Sequence, residues 1–75
     1  MPHVIVKLAT GKSGQQKARL AQAIVKEVMK VLNCDEKPVS LAIEEIEPKD
    51  WAEMVYKPEI LNVPGKLYKK PGYTM

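Results

Sequence analysis

Apolar and polar residues alternate from His3 to Leu8, with Val4, Val6 and Leu8 on one side and His3, Ile5 and Lys7 on the other. A period of two predicts a strand. Thr10-Gly11-Lys12-Ser13-Gly14 breaks the alternation as a loop, and Ser13 followed three residues later by Gln16 is the capping-box signature of a helix start. The period then lengthens. Leu20, Ala21, Ile24, Val25, Val28, Val31 and Leu32 recur every three to four positions and form one broad apolar face. Lys17, Arg19, Lys26, Glu27 and Lys30 take most of the other positions, and Asn33, which tolerates the left-handed conformation, is a suitable stop. After the charged linker Asp35-Glu36-Lys37-Pro38, alternation resumes from Val39 to Ile46. Val39, Leu41 and Ile43 line one side of this second strand, and Ser40, Ala42 and Glu44 the other.

Strand, helix and strand in this order predict an α/β (α+β) protein built on a β-α-β unit, with parallel strands and a right-handed crossover. Two strands and one helix cannot close a core, so a second copy of the chain is expected to extend the sheet. Pro48 is placed to begin a short helix containing Trp51, Met54 and Val55, and Pro58 to end or interrupt it. Pro64-Gly65 and Pro71-Gly72 read as turns. Glu44 and Glu45 read as sheet-edge or interface charges. No repeat or compositional break divides residues 1–75, which are read as one domain.

Length sharpens the expectation of self-association. Chains below about 70–80 residues commonly need a disulfide, a metal or a partner copy to be stable. Cys34 is the only cysteine and no Cys/His spacing suggests zinc, which leaves the partner copy. The lone thiol suits a reducing cytoplasm, and no signal-peptide pattern or membrane-length apolar run is present. Twelve Lys and Arg against nine Asp and Glu leave a formal charge of +3, spread along the chain except for Lys66, Lys69 and Lys70. Nucleic-acid binders concentrate such charge and interleave stacking aromatics. Here there is no Phe and only one Trp, so a small anionic ligand fits better than nucleic acid or membrane.

Pro2 carries the chemistry. Its small ring permits aminopeptidase removal of Met1, which would convert an amide nitrogen into a secondary amine. Terminal amino groups titrate at roughly 7.7–8.0, and an apolar pocket lowers that value by disfavouring the charged form. Such a nitrogen can serve as general base near neutral pH. The plain alternative is that Pro2 merely opens a strand, where a missing N–H costs little.

Met1-Pro2-His3, the strand to Leu8, Gly11-Lys12-Ser13, Gln15-Gln16-Lys17 and the second strand together resemble the 4-oxalocrotonate tautomerase family over about residues 2–51. The tail Lys69-Lys70-Pro71-Gly72-Tyr73 is similar to that of a dimeric subgroup of small bacterial tautomerases. The resemblance implies a protomer that pairs into a four-stranded sheet with helices on one face. It implies a homodimer, with a hexamer as the other possibility, and a proline base near the subunit boundary that needs no metal or cofactor. It places Lys12 where relatives carry an arginine gripping a distal carboxylate, Ser40 where they carry a second arginine, and Trp51 where an aromatic walls the pocket. Lys lacks the bidentate fork of Arg, and a serine hydroxyl carries no charge. The implied substrate is therefore a monoacid or aryl-pyruvate-like keto/enol acid rather than a dicarboxylate. Each residue also has a plainer role: Lys12 a solvated loop charge, Ser40 a strand hydrogen bond, Trp51 a packing anchor, His3 a structural neighbour of Pro2. Tyr56, Tyr68 and Tyr73 each could bring a hydroxyl to the pocket, and the pattern does not choose among them. Beside the enzyme stand two other readings, a carboxylate-binding or assembly module without turnover and a βαβ nucleic-acid module.

Overall fold

Ser13 caps the helix as its spacing requires. In the computed structural model, which describes residues 1–75, its hydroxyl accepts from the Gln16 N–H at 3.1 Å while the Gln16 side chain accepts from the Ser13 N–H at 3.0 Å. Two orphan donors of the first turn are thereby satisfied. Helix α1 runs Gly14–Leu32 and closes at Asn33, whose φ of 53° is the left-handed cap conformation. Gly11, at φ 119°, supplies the backbone geometry that turns the chain out of the preceding strand, a region closed to other residues.

Strands β1 (His3–Ala9) and β2 (Ser40–Ile46) pair in parallel, with Val4 opposite Leu41 and Val6 opposite Ile43. The unit is the expected β-α-β. Val4, Val6, Leu8, Leu41 and Ile43 are half-buried on the face that carries α1, and Ala21, Ile24, Val25, Val28 and Met29 of α1 are half-buried with them. Glu45 lies on this same face and forms an ion pair with Lys17 of α1 at 2.7 Å. It is an intramolecular tie between helix and sheet, not the edge or interface charge its position suggested. Two strands, each about 4.8 Å from the next, are narrower than the apolar stripe of α1. Leu20, Val31 and Leu32 accordingly stay exposed.

The C-terminal third takes the other face at the far end of the strands. Pro48 opens a single 3₁₀ turn, Pro48–Asp50, and after Trp51 a π-helix runs Ala52–Leu61. Pro58 neither ends nor breaks this helix. The wider π register relieves the clash a proline ring makes with the carbonyl four residues back, and the Asn62 side chain donates to the Lys57 carbonyl at 2.9 Å beside it. Glu59 of this helix pairs with Lys7, which faces away from α1. Val63–Lys66 form the expected turn about Pro64-Gly65, with Gly65 at φ 81°, whereas Pro71-Gly72 is only a bend.

Ile46, at the end of β2, and Val55 and Tyr56 of the π-helix are the only buried residues. Ile5 and Ala42 leave the rest of that face open. The radius of gyration is 14.0 Å, against about 11 Å for a compact domain of this length. The accessible surface is 6090 Å², against about 4,600 Å² for a monomer of this mass. No helix is long and apolar enough to cross a membrane.

Candidate active site

The candidate residues fall at two ends of the parallel strands. At the starting end, Pro2 is half-buried just ahead of β1, and its carbonyl accepts from the Ser40 N–H at 3.1 Å. His3 stands opposite Ser40 in register, and its Nδ1 lies 2.6 Å from the Ser40 hydroxyl. Pro2, His3 and Ser40 are thus brought together, and the hydroxyl assigned to substrate is already hydrogen-bonded to His3. Met1 is fully exposed.

The opposite end holds the rest. The Thr10 N–H donates to the Ile46 carbonyl at 3.1 Å, extending the strand pairing to the loop that carries Lys12. Lys12 is exposed there. Trp51 follows the 3₁₀ turn after β2 and lines a shallow cleft of about 500 Å³ with Ala9, Pro48, Tyr73, Thr74 and Met75. Its indole N–H donates to the Tyr73 hydroxyl at 3.0 Å. The Tyr73 ring in turn leans on Tyr56, with centroids 5.7 Å apart. Sequence reasoning missed this partnership. Its only signal was a tyrosine directly after Pro71-Gly72, which says nothing about where a tail packs.

A seven-residue strand spans roughly 20 Å, so one chain does not bring Lys12 or Trp51 to Pro2. The largest hollow, about 610 Å³ between α1 and β2, is lined by Ala21, Val25, Met29, Val39 and Leu41 among others and contains none of the four candidates. No three His, Cys, Asp or Glu side chains converge on a point that could hold a metal.

Residues 2–54 match the family model described as tautomerase enzyme, and the chain belongs to that family. It is 42% identical over 73 residues to a probable tautomerase of Xylella fastidiosa, covering 97% of this chain and 89% of that one. It is 36% identical to the Escherichia coli tautomerase PptA over the whole of both chains. Among solved structures, a heterohexamer 4-oxalocrotonate tautomerase from Chloroflexus aurantiacus superposes with a TM-score of 0.66 at 29% identity, covering 68% of this chain and 82% of that one. The family match begins at Pro2, the residue that would be catalytic.

Proposed function

We propose that the protein is a cytoplasmic keto–enol tautomerase of small 2-keto/enol acids, with Pro2 as general base once Met1 is removed. The carrying observation is the position of Pro2: half-buried, first in the family match, and fixed through its carbonyl to the start of β2. In the ketonisation of phenylenolpyruvate the proline nitrogen takes the enol hydroxyl proton, and the resulting ammonium returns a proton to C3. No redox change or net proton transfer remains. Lys12 supplies the one cation for the substrate carboxylate.

Because base and cation lie a strand's length apart, the site closes between two protomers. A two-fold axis sets the start of one β1 beside the end of its partner's, bringing Pro2 of one chain to Lys12 and Trp51 of the other. The single chain exposes on the order of 1,500 Å² more than a monomer of its mass, which supports such pairing. A homodimer satisfies this geometry, and a hexamer made of such dimers satisfies it too.

Pro2→Ala keeps a terminal amine but loses the secondary, ring-held nitrogen. Its kcat/KM for phenylenolpyruvate should fall by about 10²–10⁴, the range general base catalysis supplies, with the oligomer intact by light scattering. Undiminished turnover would refute the role of Pro2, whereas a wild-type protein without turnover would leave a binding or assembly module. Intact mass of untagged protein should show a species lacking Met1. A dicarboxylate dienol preferred a thousandfold over phenylenolpyruvate, roughly 4 kcal/mol of discrimination, would contradict the monoacid assignment.

A further inference from the structure

Of the three tyrosines, one is chosen by its surroundings. Tyr68 is fully exposed, and Tyr56 is 6% exposed and serves as a packing surface. Tyr73 is 45% exposed, lines the cleft with Ala9, Pro48 and Trp51, and makes its one hydrogen bond as acceptor, from the Trp51 indole N–H at 3.0 Å. A phenol that accepts one hydrogen bond still has its own proton to give. Accepting from Trp51 polarises that O–H and strengthens it as a donor. The ring is held at its oxygen by Trp51 and packs against the Tyr56 ring, tilted by 38° with centroids 5.7 Å apart. The result is an oriented O–H donor in a cleft whose other walls are largely apolar.

We infer that Tyr73 donates this hydrogen bond to the C2 oxygen of the keto/enol acid, stabilising the negative charge that oxygen gains when Pro2 of the partner protomer removes the enol proton. Trp51 is the positioning residue that turns the phenol. The inference rests on the tautomerase reading above. It supplies what that reading lacks, because Ser40 is neutral and already engaged by His3. Charge that develops only as the reaction proceeds is best met by a fixed dipole. Loss of the hydroxyl should therefore lower kcat and leave KM nearly unchanged.

The test compares Tyr73→Phe, Trp51→Phe and Pro2→Ala on phenylenolpyruvate, with circular dichroism and light scattering as folding controls. Tyr73→Phe keeps the ring and its contact with Tyr56, and is expected to lose about tenfold to a hundredfold in kcat with KM within about twofold. Trp51→Phe removes the indole N–H while keeping an aromatic ring, smaller than indole, in the cleft wall, and should show a smaller loss of the same kind. Cinnamate, an unreactive aryl carboxylate, should quench the single tryptophan of wild type saturably, giving a reading of this cleft that does not need turnover. Tyr73→Phe with kcat within about twofold of wild type, alongside an inactive Pro2→Ala, overturns the Tyr73 assignment and leaves the tautomerase reading standing. An active Pro2→Ala overturns the reading itself. If Tyr73→Phe fails to fold, Trp51→Phe decides: a kcat equal to wild type rejects the inference.

Discussion

Lys12 and Ser40 occupy positions where relatives were expected to carry arginines, and the structure separates their fates. Ser40 is taken up by His3 at 2.6 Å, so it offers the substrate at most part of a hydroxyl. Lys12 is exposed on a loop opened by Gly11 and is free to meet an anion. An ammonium attracts a carboxylate from many directions, whereas a guanidinium grips it through two parallel bonds. Lys12→Ala should raise KM for phenylenolpyruvate by about tenfold with little change in kcat, the mark of an interaction equal in ground and transition states. Lys12→Arg should restore KM, and steady-state kinetics at fixed ionic strength will show it. Pro2, Lys12 and Trp51 were named as candidates through the family resemblance, and the strand ends fix where each of them stands. The His3–Ser40 and Trp51–Tyr73 bonds were not legible in the sequence, since they join residues 37 and 22 positions apart through register and tail packing.

The elements themselves were written in the periodicity. Ser13, Gln16 and Asn33 mark both ends of α1, and the switch from a period of two to one of three to four marks its body. The π-helix was not foreseeable from Pro58, because a proline's usual consequence is a break, and here the chain passes it in the π register with Val55 and Tyr56 of the same helix buried. The Lys7–Glu59 pair ties this helix to β1. The hydrogen bond from Lys7 to Glu59 raises the lysine pKa, partly offset by desolvation and aided by the charges of Glu59 and Glu44. A lysine whose pKa is higher folded than unfolded contributes stability that is fully present below the unfolded value, about 10.4, and that disappears as pH rises through the folded value. The effect is small for so exposed a pair. Thermal unfolding of Glu59→Gln should therefore show a shallower fall in Tm than wild type on going from about pH 9 to pH 11.5, and the two profiles should run parallel below that.

Three buried residues in 75 do not make a self-sufficient core, and the candidate site residues are split between the two ends of the sheet. Pro2 lies at one end of the sheet, Lys12, Trp51 and Tyr73 at the other. If the site closes across a two-fold interface, a pair of protomers has two sites, each built from complementary halves. This arrangement has a signature that no within-chain site can imitate. Pro2→Ala and Lys12→Ala proteins should each be impaired alone, the first in turnover and the second in binding. In a mixed pair, one site receives Pro2 from the Lys12→Ala chain and Lys12 from the Pro2→Ala chain, and is wild type. The other site receives both substitutions. Equal co-expression makes half the pairs mixed, so about a quarter of wild-type activity at low substrate should return, with wild-type KM for that fraction. Sites contained within single chains would give only the average of the two parents. Kinetics on the co-expressed mixture, with mass spectrometry confirming equal proportions, tests the division of the site directly.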